Sequence, residues 1–389
     1  FPKFKKILPK KLKEIKNIYS KFSEIDAYEI KNIENEINHD VKAVEYYIRN
    51  KFKEIGLENY VELIHFGLTS QDINNTAIPL MLKDSINEVL FPSLNSLIKN
   101  LDVLYDNTKN VPMIARTHGQ AATPTTFGKE IRVFTERINN QIKNLKSIPN
   151  NGKFGGASGN LNAHYISMPN IDWDKFSDNF LNKIGLLRSK PTTQIEHYDN
   201  MGAIFHCIVR INLILIDMCR DIWHYISIGY IKQKINKKEV GSSAMPHKVN
   251  PIDFENAEGN LMLANSQFSF LANKLPVSRL QRDLTDSTVS RNIGVPIAHT
   301  IISLNSILIG LNKIEIDKSK IDKDLDNNWA VISEAIQTIL RRENIKNPYQ
   351  ILKELTRGNK DINQEKLERF INQLPITKKL KKELLKIRP

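Results

Sequence analysis

Ile204-Phe205-His206-Cys207-Ile208-Val209-Arg210-Ile211-Asn212-Leu213-Ile214-Leu215-Ile216-Asp217-Met218-Cys219-Arg220-Asp221-Ile222-Trp223-His224-Tyr225-Ile226 carries a stripe of apolar residues at 204, 208, 211, 215, 218, 222 and 226. Steps of four and three are the period of an α-helix with one buried face, here about seven turns long. The run to Tyr230 is the most apolar in the chain, yet Arg210, Asp217, Arg220 and Asp221 interrupt it, which argues against a membrane span. Cys207 and Cys219 are the only cysteines. On one helix, at ~1.5 Å rise per residue, they stand about 18 Å apart, too far for a disulfide. Two free, buried thiols fit a reducing cytoplasm.

Three more stretches share the pattern. Apolar residues fall at 127, 131, 134, 138, 142 and 145, and again at 254, 257, 261, 264, 268 and 271, while a further run covers Ile297 to Leu311. Four long striped helices predict an antiparallel bundle at the centre of the chain and an all-α fold, with cores completed across subunits. The span 76–106 reads as helical with a break near Pro92, and 1–60 as helical with a polar interruption at Asn38-His39-Asp40. No stretch alternates strongly enough for a central strand, and 148–166 and 186–197 read as loops. The expected organisation is a helical domain over 1–75, a central bundle over 76–312 and a charged helical domain over 313–389.

The 389 residues carry a net charge of +13. Lys and Arg are dispersed among many Asn and Ile, so the excess reads as compositional bias and no nucleic-acid or membrane partner is expected. Gly155-Gly156-Ala157-Ser158-Gly159 lacks the strand and βαβ context of a dinucleotide site. The nine histidines show no metal-ligand spacing, and no metal or cofactor is implied.

Chemistry concentrates in five places. Val240-Gly241-Ser242-Ser243-Ala244-Met245-Pro246-His247-Lys248-Val249-Asn250-Pro251 reads as a lid: glycine frees the backbone, two prolines break helix, and hydroxyls, an ammonium and an amide suit an anionic substrate. Arg116-Thr117-His118-Gly119-Gln120 places an imidazole in a polar turn, where it can exchange protons near neutrality. His65-Phe66-Gly67-Leu68-Thr69-Ser70-Gln71-Asp72 offers hydroxyl donors for a carboxylate, or simply an N-cap. Arg279-Leu280-Gln281-Arg282-Asp283-Leu284-Thr285-Asp286-Ser287-Thr288-Val289-Ser290-Arg291 flanks a serine with arginines, a phosphate clamp or a surface ion-pair network. Thr192-Thr193-Gln194-Ile195-Glu196 precedes the longest helix.

The lid fills every fixed position of Gly-Ser-Ser-x-Met-Pro-x-Lys-x-Asn-Pro and resembles the signature of the fumarase/aspartase superfamily. With Arg116–Gln120, Thr69–Asp72 and Asn38-His39-Asp40, the chain is similar to the adenylosuccinate lyase family in its bacterial form, from Asn38 to the Leu-Thr-Arg-Gly string at 355–358. The resemblance implies a three-domain all-α fold that assembles into a homotetramer, with three subunits contributing to each site. It implies elimination of fumarate from adenylosuccinate, giving AMP, and from SAICAR, giving AICAR, in purine synthesis. Ser242 would be the base and His118 the general acid oriented by Glu255, with Lys248 and Asn250 stabilising the intermediate. Thr69, Ser70 and Gln194 would hold the succinyl carboxylates; Arg282, Ser287 and Arg291 the phosphate; and Asn38, His39, Asp40, Thr117, Ser243 and Met245 other parts of the substrate.

The sequence departs from the family at three places. His197-Tyr198-Asp199 follows Glu196, where relatives have proline, histidine and aspartate, which leaves the role of His197 open. The Asp-Gly-Arg-Tyr string that opens relatives several dozen residues earlier, with a phosphate-binding Arg and Tyr, does not occur, and the tail stops short of their terminal helix. These differences keep a truncated, non-catalytic helical scaffold as a rival. Argininosuccinate lyase is the enzymatic rival, against which the phosphate clamp and His247-Lys248-Val249 argue.

Overall fold

The computed structural model describes residues 9–234, 245, 248–356 and 362–389. It is 69% helical. Among the described residues, strands pair only as three two-stranded ribbons. Two compact units emerge. One takes the described residues of Phe1–Ile86, Lys146–His206 and Ser269–Ile293, the other those of Asn87–Leu145, Cys207–Phe268 and Gly294–Pro389.

The second unit holds the bundle, built from Phe91–Thr108, Phe127–Ser147, Gly294–Lys313 and the larger parts of Asp199–Ser227 and Ile252–Lys274. The striped positions are its core: Phe127, Ile131, Phe134, Ile138, Ile142 and Leu145; Ile208, Ile211, Leu215, Met218 and Ile222; Phe254, Ala257, Leu261, Ala264 and Phe268 are all buried. Each large apolar side chain so placed contributes about 1.5–3 kcal/mol. Asp199–Ser227 is long and apolar enough to cross a membrane, but 67% of its most apolar window is buried inside the protein, as befits a core helix. Cys207 and Cys219 are free and buried, and burial pushes the Cys219 thiol up to about 12.

The helix Gly294–Lys313 buries Leu304 and Ile307, as an apolar run should, but its inward face is mixed. It turns Thr300, Ser303 and Ser306 inward and leaves Ile302 and Ile309 about half exposed. The inward hydroxyls are satisfied across helices, which is the condition for burying them: Asn212 Nδ2 donates to Thr300 Oγ1 (3.1 Å) and Asn256 Nδ2 to Ser306 Oγ (2.7 Å). The small face also lets helices approach. A Cβ on Gly310 would lie 2.8 Å from the Phe254 ring.

The break expected near Pro92 is a π-helical turn over Ile86–Leu90 between Ser70–Ser85 and Phe91–Thr108, with Pro92 in the first turn that follows.

In the first unit, Glu24–Ile37 and Asp40–Glu54 meet at the polar junction seen in the sequence. Asn38 ends one helix in the left-handed region (φ 51°), and His39 caps the next, its Nδ1 accepting from Lys42 N at 3.2 Å. The Gly-rich loop wraps the start of Ser70–Ser85. Gly155 N (2.8 Å) and Gly156 N (3.1 Å) donate to the Asp72 carboxylate, and fully buried Lys153 pairs with it at 2.8 Å. Burial pulls the Lys153 ammonium below its ordinary pKa, and Asp72 opposes that.

His164, 1% exposed, sits among the rings of Trp173, Phe154 and Phe66, with centroids 4.6, 5.8 and 6.0 Å away. Burial lowers its pKa from 6.5, offset in part by Asp72. Below pH 6.5 the unfolded chain therefore binds the extra proton more readily than the folded one. The stability that His164 contributes is complete above that pH and is lost as pH falls below it through the lowered folded-state pKa. Thermal melts from pH 7.5 to 5 are expected to show a falling midpoint that flattens in His164→Phe; equal slopes in the two proteins would exclude His164 as the source.

Candidate active site

The 282–291 segment lies beside the junction at Asn38–Asp40. Together with Ser70 and Gln71 they line a cleft of about 290 Å³ within the first unit. Asn38, His39, Asp40, Ser70, Arg282, Ser287 and Arg291, separated widely in sequence, are thus brought together. Ser287 stands between donors. Arg282 Nη2 reaches its Oγ at 2.7 Å and Gln71 Nε2 at 3.3 Å, so its own hydrogen is left to point at an acceptor in the cleft. Arg291 Nη2 touches Asp40 Oδ2 at 3.5 Å, with both side chains well exposed, a weak pair that an incoming dianion can displace. Two guanidiniums, a hydroxyl and an amide suit a phosphate monoester, whose oxygens accept several charge-assisted hydrogen bonds.

Thr69 is the N-cap of Ser70–Ser85 and shares a capping box with Asp72, its N–H donating to Oδ2 at 2.8 Å. The capping and the site-lining roles thus fall to neighbours: Thr69 starts the helix and Ser70 faces the cleft. Gln194 Nε2 donates to Ala157 O (2.9 Å), fastening the segment before the longest helix to the Gly-rich loop. His197 is exposed. Glu196 is buried and accepts from Ser189 Oγ at 2.6 Å.

The remaining candidates among the described residues stand in the second unit. Thr117 and His118 lie on a β-hairpin, Pro112–Thr117 against Gln120–Thr126, that alternation alone did not reveal. His118 and Gly119 form its two-residue turn with φ of 54° and 73°. Consecutive positive φ values are what this hairpin type requires, and the second falls on glycine, where no side chain resists it. The turn presents His118 at an exposed tip. Behind it, Arg116 Nη2 pairs with Asp324 Oδ2 at 2.7 Å, and Tyr230 OH donates to the same oxygen.

Of the 240–251 segment read as a lid in the sequence, Ser242, Ser243 and His247 lie outside the described residues, as does part of the 355–358 string. Met245, Lys248 and Val249 are exposed and Asn250 half-buried. The descending arm is tied down where Gln233 Nε2 donates to Val249 O at 3.0 Å. Glu255, in the first turn of Ile252–Lys274, accepts from Trp223 Nε1 at 3.0 Å.

One buried network escaped the sequence reading. Asn75, Tyr198 and Asp286 are each at most 3% exposed. Asn75 Nδ2 donates to Tyr198 OH (2.7 Å), and the hydroxyl donates to Asp286 Oδ2 (3.1 Å). The other Asp286 oxygen meets Arg282 Nε at 3.4 Å, so the chain ends on the arginine of the cleft.

The lyase family model matches residues 3–265, and the adenylosuccinate lyase C-terminal model residues 278–389. Adenylosuccinate lyase of Dictyostelium discoideum is 56% identical over 385 residues, covering 97% of this chain and 83% of that protein. The enzyme of Legionella pneumophila strain Corby is 49% identical, covering 97% and 83%, and that of Escherichia coli K12 47% identical, covering 96% and 82%. Among solved structures, a fumarate lyase from Mesorhizobium sp. BNC1 superposes with a TM-score of 0.74 at 18% identity, covering 98% of this chain and 86% of that one. The fold is therefore that of the fumarase/aspartase lyases. Within that superfamily, the chain belongs to the adenylosuccinate lyase family.

Proposed function

We propose that this chain, a carbon–nitrogen lyase of the amidine-lyase class, eliminates fumarate from adenylosuccinate to give AMP and from SAICAR to give AICAR in purine synthesis. The observation that carries the reading is the cleft in which Arg282, Ser287 and Arg291 meet Asn38, His39, Asp40 and Ser70. Both substrates bear a phosphate, and a lyase for small dicarboxylates has no use for a clamp of two arginines.

In this reading Ser242, having given its hydroxyl proton to solvent, acts as the alkoxide: its Oγ takes the Cβ proton of the succinyl group and returns to the hydroxyl. The C–H electron pair moves toward the adjacent carboxylate, whose two oxygens then carry two negative charges. Lys248 and Asn250, on the arm held through Val249, supply the cation and donor this requires. The pair then forms the C=C bond of fumarate as the C–N bond breaks. The nitrogen keeps the C–N electrons and takes a proton from His118. Thr69, Ser70 and Gln194 hold the carboxylates, while Thr117, Ser243 and Met245 close around the rest of the substrate. Glu255 orients His118, with Trp223 fixing the carboxylate.

The active form is a homotetramer with shared sites. Leu213, Met262, Leu263, Ile302 and Ile309 stand about half exposed on bundle helices, faces that a second copy would cover. The sequence division at 75 and 312 and a cytoplasmic location belong to the same reading.

The test is an absorbance assay of adenylosuccinate against succinyladenosine, its phosphate-free counterpart. Arg282→Ala is expected to raise KM for the nucleotide by about tenfold to a hundredfold, the worth of a hydrogen bond to a charged group. Its effect on the nucleoside should be small. Turnover of argininosuccinate in place of adenylosuccinate would replace this reading with the rival lyase.

A further inference from the structure

We infer that Tyr198 is a positioning residue for the phosphate subsite, acting through Asp286 on Arg282. The inference rests on the proposed function for the identity of the ligand and goes beyond it in naming what sets the clamp.

Tyr198 is 2% exposed and holds a left-handed backbone (φ 61°), uncommon for a bulky side chain and sustained only where the surroundings fix it. They do so on both sides. Glu196 N donates to Asn75 Oδ1 at 2.9 Å, and Tyr198 N to Glu196 Oε2 at 2.5 Å, so the amide of Asn75 holds the backbone of this turn with its oxygen and the Tyr198 hydroxyl with its nitrogen. The hydroxyl has one hydrogen, and it goes to Asp286 Oδ2 at 3.1 Å.

That hydrogen bond decides how Asp286 treats Arg282. Asp286 is 3% exposed, and its other oxygen lies 3.4 Å from Arg282 Nε, a long contact for such a pair. With one oxygen satisfied by Tyr198, the carboxylate leaves the guanidinium free to reach Ser287 Oγ at 2.7 Å. Without the tyrosine hydroxyl, a buried oxygen loses its donor. The guanidinium already meets this carboxylate, and it would draw back from Ser287 onto Asp286. The cost would fall on phosphate binding, because the reacting carbons belong to other residues.

The experiment compares the full chain with Tyr198→Phe, and with Asp286→Asn as a second variant that keeps the tyrosine. AMP affinity is measured by calorimetry, and kcat and KM are measured with adenylosuccinate and succinyladenosine. The expected result for Tyr198→Phe is about tenfold weaker AMP binding and about tenfold higher KM for the nucleotide. The kcat should be unchanged and the nucleoside unaffected. Asp286→Asn should give the same split, and the double variant little more than either alone. A loss that falls on kcat, or equally on both substrates, would make Tyr198 merely structural and overturn the inference. So would unchanged AMP affinity in both variants. If the parent chain binds AMP but eliminates nothing from adenylosuccinate, the proposed function fails while the comparison of AMP affinities still judges the positioning role.

Discussion

Ser242→Ala should slow fumarate release from adenylosuccinate by about a hundredfold to ten-thousandfold, the range for removing a general base, while KM moves little. The proton removed lies beside an ionised carboxylate and is barely acidic, so elimination depends on a base and on charge stabilisation acting together. A serine hydroxyl is a poor base unless cations and donors gather round it. In the proposed mechanism the cation is Lys248, four residues before the helix that opens at Ile252. His118→Ala should cost a similar factor, since the departing nitrogen would leave without its proton. Adding the second substitution to the first should cost less than the product of the two, as for residues that act as one unit. The assay is the absorbance change on forming AMP. Turnover that survives Ser242→Ala would keep the lyase and remove its base. Survival in His118→Ala would move the acid role elsewhere.

Periodicity made the bundle legible, because a buried stripe must repeat every three or four residues whatever the helix packs against. The stripes from Phe127 and from Phe254 are buried along their length. The run from Ile297 forms the helix expected of it, but the detail of its buried face was not legible, for a physical reason. Apolar content does not say which face is inward, and there Leu304 and Ile307 share the inward face with Thr300, Ser303 and Ser306, whose partners Asn212, Ala257 and Asn256 belong to other helices. The hairpin at His118 had a signal, a two-residue turn with glycine second, but its short strands carry no alternation to accompany it. Motifs gave the cleft residues because the spacing of Arg282, Ser287 and Arg291 is local. What supports them is not. Asn75 meets Tyr198 across 123 residues of sequence and Tyr198 meets Asp286 across 88, and a single sequence holds no record of such pairings.

Lys153 shows the same limit and carries the largest effect on stability. In a sequence it is one lysine of a loop, a residue type that is almost always exposed. In the structure it is 0% exposed, its ammonium 2.8 Å from Asp72 and donating to Gly156 O at 2.6 Å. Removing one partner of such a pair leaves a buried charge uncompensated and costs about 3–5 kcal/mol, whereas replacing both can be nearly neutral. Lys153→Met, which keeps the side chain to Cε and removes the ammonium, should therefore unfold the chain at a markedly lower temperature. Combining it with Asp72→Asn should recover only part of the loss. A neutral amide removes the buried charge, but with one acceptor oxygen it cannot replace all the contacts that the carboxylate makes with Thr69, Gly155 and Gly156. Because Asp72 fixes the turn from which Ser70 and Gln71 enter the cleft, the surviving folded fraction of Lys153→Met should also bind AMP more weakly. Thermal melts and AMP calorimetry on the single and double variants decide the matter. A Lys153→Met melt within about 1 kcal/mol of the parent would mean that the three backbone N–H groups already hold Asp72, and that the lysine adds nothing to them.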